Sequence, residues 1–290
     1  METPADAADQ MVIAFLDEGD GSEIENPIHA DGFAREHGFR GPLVGGVTVW
    51  GWATPAILNA AGHAWLDRGW SEIVFRQPTF PGDRMEIRVR AQTGRGDDRY
   101  AVSLTNQDGV DCVVATIGLG CAPWLDELTA PCRLAPEPAP DPKPQLLLDR
   151  APIGRDLVPM SMSGTAEDAR AYVRRSQPAD DRRFTGERPR LHPGWIAGRP
   201  EDLLHHNFEI PASMHTRSRV QHLAPAVAGG PIAVAAQCVE AYERKGHHVG
   251  VFDCLVLDAG GVRLAHIQHT TIFRIATPVV GASESRRAVD

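Results

Sequence analysis

The stretch Asn26-Pro27-Ile28-His29-Ala30-Asp31, followed by Gly38-Phe39-Arg40-Gly41-Pro42-Leu43-Val44-Gly45-Gly46-Val47-Thr48-Val49, decides how the rest of the chain is read. Proline restricts its own φ and disfavours helix at the residue before it, so Asn26-Pro27 sets a turn that aims His29 in a fixed direction. An imidazole takes and gives protons near neutral pH. A glycine-bearing apolar helix start then follows. From Pro42 to about Arg68 the chain is apolar, with Trp50, Trp52, Ile57, Leu58 and Trp65 recurring, and after Gly51 it is nearly free of breakers apart from Pro55 and Gly62. That pattern predicts one long helix enclosed on most sides. Its first amides lack intrahelical partners, and the helix dipole makes them donors for developing negative charge.

Strand-like runs surround this segment. Val12 to Leu16 is a short apolar run, and Glu72 to Phe75 leads into a Pro- and Gly-bearing turn at residues 78–83. Met85 to Ala91 alternates apolar and charged residues, the period of a half-exposed strand. Tyr100 to Thr105 and Cys112 to Leu119 are joined by Asn106-Gln107-Asp108-Gly109, a hairpin signal. A long helix with antiparallel strands defines an α+β unit. The Pro-rich tract Pro131 to Pro144 predicts an extended linker. Beyond it the pattern returns. Pro78 and Gly82 recur as Pro225 and Gly229, a spacing of 147 residues. At that spacing Gly41–Trp52 overlays Arg188–Arg199, and Ile232–Ala236 takes the place of the Met85 strand. Val249–Leu257, Asp258-Ala259-Gly260-Gly261 and Val262–Ile275 form a second hairpin. The ordered recurrence predicts an internal duplication, against a bare alternative of chance similarity.

The turn histidine followed by a glycine-bearing helix start resembles the MaoC-like, R-specific enoyl-CoA hydratase family. The resemblance implies a double hot-dog, two repeats each built of a long helix wrapped by an antiparallel sheet. The expected organisation is a first repeat over 1–130, a linker over 131–159, a second, degenerate repeat over 160–277 and a tail over 278–290. The resemblance further implies hydration or dehydration of a CoA- or carrier-bound acyl thioester, with Asn26, Pro27 and His29 carried over directly. The position of the family's catalytic aspartate is Ile24, which cannot accept a proton, so Glu25 is the nearest substitute carboxylate. Asp31 either caps the following helical turn or orients His29. Gly45, Gly46 and Val47 are the candidate carbonyl-binding amides; the other reading of the glycines is tight packing alone. The second repeat keeps His192-Pro193-Gly194-Trp195 at its helix start, and His192 either shapes the cleft or packs on Trp195. Other readings of the same fold are a thioesterase and a binding protein with a decayed site.

A chain of 290 residues with 42% hydrophobic residues can bury a large core or two modest ones. A net charge of −9 without a basic stripe argues against a nucleic-acid partner. No apolar run reaches the length of about 20 residues that a bilayer requires, and no signal peptide is recognisable at Met1 to Gln10. The five scattered cysteines contain no CxxC and fit a reducing, cytoplasmic setting. No metal site or cofactor is expected: His266 and His269 should face opposite sides of a strand, and His205-His206 and His247-His248 read as surface or strand histidines. The expected partner is the acyl-CoA or acyl-carrier substrate, with a homodimer left open.

Overall fold

The architecture follows from one continuous antiparallel sheet and the helices that pack on its concave side. The computed structural model describes residues 10–17, 29, 31–36, 38–92 and 99–276. In the first half, β1 (Gln10–Ile13) is followed by α1 (Asp31–Glu36), α2 (Gly46–Gly51), α3 (Thr54–Ala61) and α4 (Trp65–Arg68). Strands β2 (Gly69–Phe75), β3 (Arg84–Ala91), β4 (Arg99–Thr105) and β5 (Asp111–Leu119) complete it. In the second half, β6 (Arg155–Asp156) and β7 (Met160–Gly164) precede α5 (Ala166–Ser176), α6 (Arg182–Thr185) and α7 (Pro193–Asn207). Strands β8 (Met214–His222), β9 (Gly230–Arg244), β10 (His247–Leu257) and β11 (Arg263–Arg274) follow.

Strand order runs β1-β3-β4-β5-β2-β8-β11-β10-β9, with β6 and β7 both on β9. The two halves are therefore mirror lists about a central β2–β8 seam. There Trp70–Val74 pairs antiparallel with Arg217–Gln221, the same segment one 147-residue spacing on. The duplicated unit pairs with its own image across a pseudo-twofold axis. This is the double hot-dog arrangement, and a single chain thereby encloses what a symmetric dimer would.

Burial explains the elements. In β3 the residues Met85, Ile87 and Val89 are fully buried while their neighbours face water, the period-two signature of a one-sided strand. Trp50, Trp52 and Trp65 are at most 1% exposed and fill the space between sheet and helices. The expected long helix is present as three pieces. Trp52 and Ala53 interrupt it, and Pro55 in the first turn of α3 lacks the N–H that would continue the ladder. Gly62, with φ of +81°, ends α3. The start of the Pro-rich tract and the residues just before it are tied to the second half of the chain: the Thr129 amide donates to buried Asp253, and the Cys132 and Arg133 amides donate to Asp156. This strap covers the outer face of β10, which is why almost every residue of that strand is buried.

α2 and α7 cross at glycines. A Cβ on Gly194 would sit 2.9 Å from the Val47 carbonyl oxygen and 3.2 Å from the Gly51 Cα, and one on Gly198 would touch the Val47 side chain at 3.5 Å. The crossing sets the start of α7, at His192 and Gly194, against the Gly51 end of α2, and Gly198, a turn further along α7, against the Val47 side chain near the α2 start.

Candidate functional site

The start of α2 is an uncapped helix end. Its N-cap is Gly45, with φ −55° and ψ 129°, and no side chain caps it. The Val44 amide is taken by the Thr79 carbonyl at 2.9 Å, which fixes the chain just before the turn. The next amides, of Gly46 and Val47, begin the helix and have no carbonyl a turn earlier to bond. They form a donor pair where the helix dipole favours negative charge.

His29 is beside this end. Its Nδ1 lies 2.6 Å from the Leu43 carbonyl oxygen. A carbonyl only accepts, so Nδ1 carries the hydrogen, and Nε2 is the ring nitrogen left to exchange a proton. The ring's Cε1 is 3.9 Å from where a Gly45 Cβ would be. Among the described residues, an imidazole of fixed orientation thus stands within one side-chain width of amides that no side chain caps. The opposite flank of the helix start is closed by Phe75, whose ring edge would meet a Gly46 Cβ at 2.9 Å. Glycine at 46 is a packing requirement as well as a source of an amide.

The second repeat has the same helix start with a different outcome. The 147-residue image of Gly45 is His192, the N-cap of α7, and its Nδ1 accepts from the Gly194 amide at 3.1 Å. The image of Gly46 is Pro193, which has no amide hydrogen. His192 is 3% exposed and packs against the Phe184 and Tyr172 rings at 4.6 and 5.5 Å. Burial pushes its pKa down to about 3, against the pull of Asp181. The α7 start is therefore self-satisfied: its donor is occupied and its imidazole is held neutral. It lies against the Gly51 end of α2, where a Cβ would meet the His192 ring at 3.3 Å, so His192 packs beside the far end of that helix and not beside the Gly46 and Val47 amides.

Of the other sequence-derived candidates, Glu25 and Asn26 lie outside the described residues. Asp31 begins α1, and its side chain is likewise outside them. Among the described residues no group of three or more His, Cys, Asp or Glu is arranged to hold a metal ion. His266 and His269 face opposite sides of β11: His266 lies 3.4 Å from the Thr129 carbonyl on the outer face, and His269 points inward to Glu201 at 3.0 Å.

That inward side holds a cluster the sequence reading missed. Glu201 and His205, one turn apart on α7, are 3.3 Å apart. His269 is fully buried against Glu201, and its ring centroid is 4.2 Å from that of His215. His215 in turn packs on Phe75 at 4.5 Å and reaches the Ser218 hydroxyl at 2.7 Å. The i,i+4 Glu201/His205 pair on a helix was visible in sequence; the strand register that brings His269 and His215 to it was not.

Similar solved structures agree with this architecture. A MaoC-like dehydratase matches at 14% identity over 92% of this chain and 97% of that one, with a TM-score of 0.56. A candidate MaoC domain protein dehydratase from Chloroflexus aurantiacus J-10-fl matches at 13% identity over 92% and 95%, with a TM-score of 0.62. A candidate oleoyl thioesterase from Lactobacillus plantarum matches at 10% identity over 93% and 98%, with a TM-score of 0.53. No protein-family model matches, and no curated protein sequence does. The chain is a divergent double hot-dog protein. That fold hosts both dehydratase-named and thioesterase-named structures. No helix among the described residues is long and apolar enough to cross a membrane.

Proposed function

We propose that this protein is an enoyl-thioester hydratase or dehydratase of the MaoC-like type, acting on a CoA- or carrier-bound acyl group at the α2 start. One observation carries the reading: His29, with Nδ1 committed to the Leu43 carbonyl, stands beside two amides that no side chain caps. The thioester carbonyl oxygen accepts from the Gly46 and Val47 amides. His29 Nε2 takes a proton from a water, whose oxygen bonds to C3 of the 2-enoyl group. The C2–C3 π electrons move toward the carbonyl, giving an enolate held by the amides. C2 then receives a proton either from the imidazolium directly or from an acid such as Glu25, whose carboxylate then takes the imidazolium's proton, and in both cases His29 is restored. Dehydration is the same path reversed. Asn26 and Asp31 are assigned to shaping the turn that carries His29. No step calls for a cofactor, and the substrate is the expected partner.

The same amides would serve a thioesterase, in which water attacks the carbonyl carbon itself, and the fold is shared with a thioesterase-named structure. Crotonyl-CoA separates the two. A hydratase removes the enoyl absorbance and leaves the thioester intact; a thioesterase releases free thiol. Loss of neither signal, with crotonyl-CoA bound, would leave the chain a binding protein and overturn the proposal.

A further inference from the structure

The buried cluster behind Phe75 bears on which acyl group fits. Phe75 ends β2, and its ring is held from two sides. On one side is the α2 start at Gly46, where even a Cβ would collide with it. On the other is the His215 ring at 4.5 Å. His215 cannot retreat, because its Nε2 is engaged by Ser218 at 2.7 Å and its far side meets His269 at 4.2 Å. His269 is fully buried and is tied to Glu201 at 3.0 Å, and Glu201 also engages His205. Burial opposes charge on Glu201, but the hydrogen bonds to His205 and His269 outweigh it and hold the carboxyl well below its usual range. Burial, with His269 close by, keeps His215 neutral. The column from Glu201 to Phe75 is thus anchored on α7 and on two strands of the second repeat.

The cluster is also adjacent to the site by a second route. Gly198, one turn before Glu201 on α7, faces the Val47 side chain. A thioester whose carbonyl sits on the Gly46 and Val47 amides has His29 on the Gly45 flank and Phe75 on the Gly46 flank. Its CoA or carrier arm must reach solvent, so its acyl chain runs inward. We infer that Phe75 closes the inner end of the acyl slot and restricts this protein to short-chain acyl groups, with His215, His269 and Glu201 as the positioning residues that keep the ring from swinging aside. This rests on the acyl-thioester reading above. A longer alkyl chain would have to displace a ring backed by a neutral imidazole and, behind it, a half-buried carboxylate, and neither accepts apolar chain without losing hydrogen bonds.

Calorimetric binding of butyryl-, hexanoyl- and octanoyl-CoA to the full chain tests it, with a free-thiol assay confirming that each ligand stays intact. The native protein is expected to bind butyryl-CoA about tenfold or more tighter than octanoyl-CoA. In Phe75→Ala the ratio of butyryl- to octanoyl-CoA affinity should shrink to about threefold or less. Glu201→Gln and His215→Ala should narrow it partly, a change in chain-length selectivity that a merely structural role would not produce. If Phe75→Ala does not fold, Phe75→Leu and the native profile still decide. Equal affinity of the native protein for all three chains, or an unchanged profile in a folded Phe75 variant, overturns the inference while leaving the acyl-thioester reading standing. No binding of any of the three overturns that reading itself, and the inference with it.

Discussion

The decisive residue is the one with no side chain. Gly45 occupies the N-cap, where Ser, Thr, Asp or Asn would ordinarily take an amide and stabilise the helix. Its image, His192, does that in the second repeat. Gly45→Ser should therefore leave stability unchanged or raise it by a few tenths of a kcal/mol, since serine barely outranks glycine as a cap. There is room for it, because a Cβ would meet Thr48 Oγ1 at 3.5 Å and His29 at 3.9 Å. The new hydroxyl would accept from the Val47 amide, and turnover should fall about 10²- to 10³-fold, the cost of one carbonyl-binding donor. Equal turnover in this variant would remove the amides from the mechanism. His29→Gln makes the complementary case. The imidazole is half-buried, and among the described residues its ring hydrogen-bonds Leu43, so the melting temperature should stay within a few degrees while activity drops about 10²-fold or more. At this scale the sequence was half legible. The Asn-Pro turn announced an aimed imidazole, but the carbonyl that fixes its tautomer is fourteen residues on and no pattern points to it. Phe75, His215 and His269 read as ordinary strand residues until the register is known.

Among the elements, strands were easier to read than helices. Period-two runs such as Met85–Ala91 and turn glycines such as Gly109 at φ +75° report directly on local geometry. The helical segment from Pro42 to Arg68 reads as one piece because its apolar residues cover every side, which erases periodicity; the structure breaks it at Trp52–Ala53 and at Gly62. The break has a consequence. α2 has only six residues, too few to stand alone, so its orientation depends on the crossing with α7. Gly194 is the closest point of that crossing. In Gly194→Ala the methyl would meet the Val47 carbonyl at 2.9 Å and the Tyr172 hydroxyl at 2.6 Å. The first is backbone and cannot turn away. The variant should lose about 1–3 kcal/mol in urea unfolding, and it should lose activity at temperatures where it remains folded, because the push moves the α2 start that holds the substrate carbonyl. A folded Gly194→Ala protein with native turnover would show that the crossing is not what places those amides.

Duplication within one chain lets the two halves diverge, and the whole molecule shows it in its buried histidines. A symmetric dimer must repeat every residue; here Gly45 is half-buried with no cap where its image His192 is sealed and caps its helix, and Phe75 is a half-buried phenyl ring where its image, His222, is a buried imidazole edge-on to Trp65. Burial pushes His222 down to about 4, with Arg190 adding to the effect, and His192 down to about 3. Both are at most 3% exposed, so solvent does little to relieve them. In the unfolded chain each titrates near 6.5. As pH falls below that value the unfolded state takes up protons that the folded state refuses, so stability is full above about pH 7 and declines on acidification until the folded pKa values are reached. Each histidine should remove about 2 kcal/mol between pH 7 and pH 5, roughly 4 kcal/mol for the pair. His215, held down in the same way, adds to that loss. Aspartates whose pKa values are lowered in the fold, such as Asp83 and Asp181, lose their contribution mostly at lower pH, which leaves this window to the imidazoles. Urea unfolding of the native chain and of His222→Phe at pH 7 and pH 5 isolates one share. Whatever the substitution does to absolute stability, it should reduce the pH-dependent loss by about 2 kcal/mol. An identical loss in both proteins would mean that His222 accepts its proton in the fold, and the buried-imidazole account of the second repeat would fail.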